Sequence, residues 1–326
     1  MDIRQLLNHD DEARSQISKR QKTSHLSHEP CLSYDHYTVA WICALHIELA
    51  AARAMLDEIH QDLSRYAKDD NTYTLGSIKQ HNVVISCSPQ YGTNHAANVL
   101  TNMTRTFPSI QFGLMVGIGV GAPGKLDIRL GDIVVGTRVM QYDLEKVMAK
   151  GEVHRIATPK FPNASLQSAV MAVRAMHELQ PSRVPAILQE RMRGHEEYGR
   201  PSTPDRLFLA SNEHEASAFN CRDCNQSQLE ERKTRKHQTP TIFHGGIASG
   251  NRVIKNAAVR DKLAQELDVI CFEMEAAGLM DILSCLPIRG ICDYSDSHKS
   301  KEWQRYAAAT AAAYAREFAR SPVFRV

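Results

Sequence analysis

Apolar runs that suit buried strands alternate with longer amphipathic runs along most of the chain. YTVAWICAL (37–45) is almost continuously apolar, which is typical of a strand covered on both faces. HIELAAARAMLDEI follows it and predicts a helix with Glu48 in its first turn. The pattern continues with a hairpin-like pair, YTLGSI and NVVISCS, and with a predicted helix, NHAANVLTNMTRTF.

The remaining regular segments extend this alternation to the end of the chain. FGLMVGIGVGAP (112–123) predicts a strand that runs into a Gly-rich turn, and GDIVVGTRVMQYD (131–143) predicts another strand. The pattern resumes at TIFHGGIASG, passes through ICFEMEAAGLMDILSC and LPIRGICDYSDSHKS, and ends in an Ala-rich helix, WQRYAAATAAAYAREFA. Strands that alternate with helices predict an α/β fold with a largely covered sheet.

Two stretches lack the pattern. Residues 1–35 are polar and aperiodic, so we expect a mostly disordered arm ahead of one domain over 36–326. Residues from about 185 to 240 are charged and contain Pro201 and Pro204. We interpret this second stretch as an insertion on the core, part helix and part loop.

Composition narrows the class of protein. The 326 residues are 43% hydrophobic and 23% charged with a formal net charge of +2, which is ordinary globular composition and gives no argument for nucleic-acid binding. No apolar stretch approaches the roughly 20 residues of a membrane span, and the N-terminus lacks the apolar core of a secretion signal. A cytoplasmic protein is expected, with a nuclear location as the alternative because of SKRQK (18–22). The cysteines in apolar runs are then reduced core residues: Cys43, Cys87, Cys271, Cys285 and Cys292.

Acidic and basic side chains stand at the ends of three apolar strands, where α/β folds usually place their sites. The segments are ALHIE, FEME with Glu273 and Glu275, and RGICDYSD with Arg289 and Asp293. Burying such charges is costly unless each one is paired. Spacing alone leaves two readings of Arg289 and Asp293, an ordinary ion pair or a ligand site.

The segments together resemble, in chain order over roughly 37–320, the nucleoside phosphorylase and nucleosidase superfamily. VAWICALHIELAAARAML is similar to its first strand and helix, MVGIGVGAPGKLDIRLGDIVVGTR to its Gly-rich turn and next strand, and IASGN, FEMEAAGL and RGICDYSD to its later motifs. The resemblance extends in particular to the phosphorylase-like N-terminal domain of fungal NLR-type proteins, which precedes NACHT, ankyrin or TPR regions. It implies a single three-layer α/β/α domain with a central mixed twisted sheet.

The resemblance also implies roles for individual residues. Asp293 would donate a proton to purine N7, and Glu275 would bind the ribose hydroxyls. Glu48 and Arg289 would hold the nucleophilic water of a nucleosidase. Further substrate contacts would come from Met274, Glu273, Val253, Ile254, Gly119, Ile118 and Asn251. For Glu273, either its carboxylate or its backbone would matter.

A phosphorylase would instead need a phosphate site, typically an Arg before the Gly-rich turn and a Ser within it. This chain has Met115 and Ile118 there, so only backbone N–H groups could bind an oxyanion. The resemblance therefore favours hydrolysis, with a phosphate-dependent phosphorylase as the alternative and an inactive sensing or oligomerising module as a third. The expected substrate is a purine nucleoside or nucleotide, with adenosine, AMP or ATP favoured, and a homo-oligomer is expected.

A nucleotide tail would need cationic neighbours. The candidates are His46, Arg138, His298, Lys299 and Lys301. The alternatives are a surface histidine at a helix start for His46 and a solvated loop for the last three. GVGAPGK (119–125) lacks the spacing of a Walker-type phosphate loop.

The segment NCRDCNQ places Cys221 and Cys224 at C-x-x-C spacing, near His214, His237 and His244. A structural zinc held by both cysteines and two histidines is one reading, and a redox pair or unligated thiols are the others. The family chemistry uses no metal and no cofactor.

Overall fold

The computed structural model describes residues 32–64, 68–124, 126–151, 153–214 and 224–324. Nearly all of the predicted polar arm over 1–35 lies outside these ranges. The chain divides into two compact units, Met1–Ser33 and Tyr34–Val326, and every element named below belongs to the second. No helix in the described ranges is long and apolar enough to cross a membrane.

Regular structure over the described residues comprises eleven strands and seven α-helices. The strands are β1 (Val39–Cys43), β2 (Glu58–Ile59), β3 (Tyr73–Ile78), β4 (His81–Cys87), β5 (Phe112–Gly121), β6 (Ile133–Gln141), β7 (Glu145–Val147), β8 (Val153–Arg155), β9 (Ile242–Ser249), β10 (Val269–Glu273) and β11 (Cys285–Asp293). The helices are α1 (His46–Ala54), α2 (Thr93–Thr106), α3 (Ala164–Leu179), α4 (Val184–Arg191), α5 (Ala257–Leu267), α6 (Ala276–Leu279) and α7 (Gln304–Arg320).

Nine strands form one mixed sheet in the order β10-β9-β6-β11-β5-β1-β4-β3-β2. Strand β5 pairs in parallel with both β1 and β11, and its far end pairs antiparallel with β10. This last pairing joins the first strand of the order to the fifth, so β5, β11, β6, β9 and β10 close into a ring. The closure brings the ends of β5, β10 and β11 close together. The remaining strands, β7 and β8, form a separate antiparallel pair.

The long strand β5 continues through the glycines that the sequence analysis assigned to a turn. A Cβ at Gly117 would overlap the carboxylate of Glu48, and one at Gly119 would crowd Cys271 and the side chain of Arg289. The backbone is extended here. Because these glycines have no side chain, they leave room for charged groups from neighbouring elements.

Helix α7 packs against β5, β6 and β11, and α1 and α4 pack on α7. Its run of alanines lies at 0–1% exposure from Ala307 to Ala319, with Thr310 and Tyr314 also buried among them. Small side chains let this helix approach the sheet closely, so that Gly290 of β11 lies directly under the carbonyl of Ala307.

The structure confirms the predicted α/β class, a mixed sheet flanked by helices. The five cysteines expected in the core are free, four of them buried and Cys87 half-buried. Within the stretch from about 185 to 240, α4 contributes Val184 and Ile187 to the main core, and Tyr198 joins them. The described part of this stretch is therefore tied to the body of the protein at its N-terminal end.

Replacing Gly290 with alanine should destabilise the fold. The new methyl group would overlap the backbone carbonyl of Ala307, so β11 and α7 would have to separate, at a cost of roughly 1–3 kcal/mol or more. Urea unfolding followed by circular dichroism measures this change. The matched control is Gly124→Ala, since a Cβ at Gly124 meets nothing within 4 Å and should change stability by no more than about 0.5 kcal/mol. Equal stabilities of the two variants would contradict the packing described here.

Candidate active site

A cavity of about 360 Å³ opens where β1, β5, β10 and β11 end. Most of the residues that the sequence analysis assigned to catalysis or substrate binding line it: Glu48, Ile118, Gly119, Val253, Ile254, Glu273, Met274, Glu275, Asp293 and Lys299. These residues come from segments that lie far apart in the chain. The volume falls in the usual range of small-molecule sites.

Glu48, in the first turn of α1, is held by backbone donors on both carboxylate oxygens. Oε2 accepts hydrogen bonds from the N–H groups of Ala44 and Leu45 at 2.7 and 2.9 Å, and Oε1 accepts one from Ile118 N–H at 2.7 Å. Its side chain is almost fully buried. Burial raises the pKa of Glu48, while Arg289 and these backbone donors oppose the rise.

Glu275 lies at the start of α6, and the N-terminus of α2 faces it. Its Oε1 accepts a hydrogen bond from Gly92 N–H at 3.3 Å, and Oε2 lies 3.6 Å from the guanidinium of Arg289. Burial raises the pKa of Glu275, and the neighbouring carboxylates Glu273 and Glu48 raise it further. Arg289 and Gly92 act in the opposite direction. The Glu275 carboxyl is thus a poorly compensated charge at the edge of the cavity.

Glu273 has a different environment from Glu275. Its carboxylate forms a buried ion pair with Arg289 and accepts hydrogen bonds from the N–H groups of Glu275 and Ala276. It therefore starts α6 and orients Arg289, and its carboxylate is already bound within the protein. The two acids of FEME therefore have different environments. The sequence suggested such a difference but did not show which partners each acid has.

Asp293 ends β11 and is buried beside the cavity. Its Oδ1 accepts a hydrogen bond from Ser295 N–H at 3.0 Å. Its Oδ2 lies 3.2 Å from the ammonium of Lys299 and 3.2 Å from the thiol of Cys292, which donates to it. The carboxyl is thereby fixed in one orientation with Oδ2 beside the cavity lining.

Arg289 and Asn251, which were also assigned to the site, are not among the residues that line the cavity. Arg289 has 0% exposure and binds Glu273, so it supports the acids from within the core. Asn251 accepts a hydrogen bond from Thr93 N–H at 3.0 Å and donates one to Asp143 at 3.0 Å. This contact ties the stretch after β9 to the start of α2.

The cationic residues predicted to bind a nucleotide tail divide into two groups. Lys299 and Lys301 line the cavity, whereas His46, Arg138 and His298 do not. Arg138 donates to the backbone carbonyl and to the carboxylate of Asp268. His46 is exposed at the start of α1, and His298 stacks on Phe208 at 3.8 Å between ring centroids. None of these three side chains lines the cavity of the carboxylates, although His298 lines a neighbouring cavity that also contacts Asp293.

The predicted zinc site falls partly outside the described residues, since Cys221 is among the residues not described. Cys224 is half-buried, and His244 lies on β9 with a pKa lowered to about 4 by burial. Over the described ranges, no group of three His, Cys, Asp or Glu side chains could hold a metal ion. The zinc hypothesis stays a prediction.

Several residues that line the cavity were not predicted from the sequence. Tyr91, Tyr142 and Phe272 supply aromatic surface, and Arg252 supplies a further cation beside Lys299 and Lys301. Arg252 directly precedes Val253, which was assigned to substrate binding, so Arg252 could have been predicted from its neighbour. Tyr91 lies in the loop before α2 and carries no pattern that marks it. The position of Tyr91 depends on the hydrogen bond from Gly92 to Glu275, two residues that are 183 positions apart in the sequence.

Comparison with solved nucleosidase structures shows that the chain has the nucleoside phosphorylase and nucleosidase fold. A nucleotide-binding leucine-rich repeat (NLR)-like protein of Hyaloscypha variabilis is 47% identical over 298 residues, covering 88% of this chain and 29% of that protein. The chain thus spans less than a third of the length of this relative. No protein-family model matches the chain.

More distant similarity points to the same fold. The 5′-methylthioadenosine/S-adenosylhomocysteine nucleosidase of Mycobacterium tuberculosis is 24% identical over 287 residues, covering 86% of this chain and 94% of that protein. The crystal structure of the Helicobacter pylori nucleosidase of the same name, in complex with an aminopyrrolopyrimidine ligand, superposes with a TM-score of 0.57. That match has 15% identity and covers 87% of this chain and 97% of the other. The resemblance stated from the sequence is confirmed.

Replacing Glu275 with glutamine should stabilise the protein increasingly as the pH rises. The raised pKa of Glu275 means that the folded state binds more protons than the unfolded state above the ordinary glutamate pKa, so this carboxyl lowers stability as pH increases. Glutamine removes that penalty and keeps an acceptor for Gly92. We expect the stability gained by the variant to be at least about 1.4 kcal/mol larger at pH 8 than at pH 5, the equivalent of one pKa unit.

Urea unfolding at the two pH values measures this difference. Glu58→Gln is the matched control, because Glu58 is exposed on β2 and does not line the cavity. A gain that is the same at both pH values would show that Glu275 titrates as an ordinary glutamate.

Proposed function

We propose that the protein hydrolyses the N-glycosidic bond of purine nucleosides or nucleotides. The observation that carries the proposal is the convergence of Glu48, Glu275 and Asp293 on one cavity, with Arg289 buried behind them. A purine leaves as a neutral base only if its ring is protonated, and the sugar then develops positive charge. An acid for the base and carboxylates for the sugar are the groups that such a reaction needs.

Asp293 is the proposed general acid. Its protonated carboxyl would donate to N7 of the purine while the bond between N9 and the sugar C1′ breaks. The thiol of Cys292 and the N–H of Ser295 fix the orientation of the carboxyl. Lys299 contacts Oδ2, so it must yield this oxygen to the purine in the reacting complex.

Glu48 is the proposed base that activates water. The oxygen of the water attacks C1′ of the sugar, and Glu48 accepts the proton that the water loses. Its raised pKa makes its ionised carboxylate a better proton acceptor than an exposed glutamate. Arg289 acts through the carboxylates that it binds, which makes it a positioning residue in this scheme.

Glu275 is the proposed partner of the ribose 2′ and 3′ hydroxyls, with Met274 beside the sugar. Hydroxyl donors would supply hydrogen bonds that the Glu275 carboxylate lacks in the free protein. The negative charges of Glu48 and Glu275 would also stabilise the positive charge that develops on the sugar.

Hydrolysis is favoured over phosphorolysis by one hydrogen bond in particular. According to the sequence, only the backbone N–H groups of the Gly-rich stretch could bind an oxyanion. One of them, the N–H of Ile118, already donates to Glu48. A phosphate here would meet an apolar Ile118 side chain and the carboxylate of Glu48. The carboxylate repels an anion and can accept a hydrogen bond from water, and the Ile118 side chain offers an anion no donor.

Adenine nucleosides and nucleotides are the substrates we favour. The bacterial relatives are named for adenosine derivatives, which supports adenine as the base. Arg252, Lys299 and Lys301 line the cavity and could bind the phosphates of AMP or ATP. A cavity that binds only an apolar 5′ group would not need these cations.

The test is a substrate panel of adenosine, AMP, ATP, inosine, guanosine and methylthioadenosine, with and without inorganic phosphate, scored by chromatography for free base. We expect base release without phosphate and a loss of at least about 100-fold in Asp293→Asn, the typical contribution of a general acid. Asp281→Asn serves as the control variant, because Asp281 is exposed and pairs with Lys160 away from the cavity.

The other candidate functions give different results in the same panel. Base release that depends strictly on phosphate would identify a phosphorylase. No release from any substrate would support an inactive sensing or oligomerising module. Either outcome would contradict hydrolysis.

A further inference from the structure

A second cavity, of about 690 Å³, lies between the end of α4, residues 236–240 and the first turn of α7. We call it the basic groove. Tyr198 and Tyr306, both less than a tenth exposed, form part of its floor with Leu188 and Met192. None of its lining residues is assigned to the candidate active site.

The rim of the basic groove carries positive charge. Arg193, Arg200 and Lys236 are its cationic side chains, and Glu196 is the acid among the lining residues. No carboxylate in the described ranges pairs with Arg193, Arg200 or Lys236. Some basic side chains elsewhere are paired, as in the contacts of Asp57 with Arg191, Arg316 and Arg320, whereas the three of the groove lie around one cavity. The groove thus concentrates uncompensated cations around a concave floor.

Arg200 is held in place from two sides. Its guanidinium lies 5.0 Å from the ring centroid of Trp303 and donates a hydrogen bond to the carbonyl of Gln238 at 2.9 Å. An arginine stacked on an aromatic ring loses little freedom when it binds an anion. The first turn of α7, a 17-residue helix, contributes Tyr306, so the positive end of its dipole adds to the same field.

We propose that the basic groove is a second ligand site, which binds small molecules that carry an oligophosphate. The volume suits a ligand of nucleotide size, and the rim supplies several cations for adjacent phosphate groups. Its floor is linked to the candidate active site. The hydroxyl of Tyr198 donates to the carbonyl of Ile47, next to Glu48, at 3.0 Å, and Trp303 ends the stretch that begins after Asp293.

The test measures binding to the full chain by isothermal titration calorimetry. The probes are inorganic tripolyphosphate, which has no N-glycosidic bond, and UTP, which has no purine N7. We expect the double variant Arg193→Glu/Lys236→Glu to weaken the Kd of both probes at least about tenfold, the equivalent of about 1.4 kcal/mol. Tighter binding of UTP than of tripolyphosphate would identify a nucleotide as the ligand, and equal binding a free oligophosphate.

The matched control is Arg105→Glu/Lys146→Glu, which changes the net charge equally at two exposed side chains outside the groove. Unchanged thermal unfolding midpoints in both double variants would show that folding is intact. A Kd that weakens equally in both would reveal nonspecific attraction and overturn the proposal, as would the absence of binding to the wild type. Because neither probe is a purine nucleoside, the result is independent of whether base release is observed.

Discussion

The buried guanidinium of Arg289 is the charge around which the candidate active site is organised. It is 0% exposed, forms an ion pair with Glu273 and lies 3.6 Å from Glu275. Its charge also opposes the rise in the pKa of Glu48. One cation cannot neutralise three carboxylates, and burial removes the water that would solvate the remaining charge. The pKa values of Glu48 and Glu275 are raised for this reason. A positive charge beside these carboxyls would favour their ionised form, so the cluster suits the proposed reaction, in which the sugar develops positive charge.

The backbone supplies the rest of the stabilisation. Glu48 accepts from the ends of β1 and from β5, Glu273 accepts from the first residues of α6, and Glu275 accepts from the loop before α2. These donors meet because β10 pairs with β5 and closes the ring of strands. Closure of the ring thus assembles the site, because an open sheet would separate Glu48, beside β5, from Glu273 and Glu275 at the end of β10.

Apolar periodicity predicted the elements, and the family resemblance implied about half of the residues that line the cavity. β1 with α1, the β3–β4 hairpin, α2 and α7 follow directly from their patterns. The pairing of β10 with β5 is a contact between residues about 150 positions apart, and no local pattern carries it. The different roles of Glu273 and Glu275 could not be predicted either. They depend on which carboxylate faces Arg289, which is a matter of side-chain direction at one turn.

The Gly-rich motif of β5 was identified correctly from the sequence, but its structural role was predicted wrongly. A Gly-rich segment after a strand suggests a turn that exposes N–H groups to phosphate. Here Gly117 instead makes room for the Glu48 carboxylate, and the N–H of Ile118 binds that carboxylate. An internal anion thus occupies the donor that an external phosphate would use. Since Glu48 comes from α1 and the glycines from β5, the two segments define the site jointly. A carboxylate held in this position can accept a proton from water, and it repels phosphate.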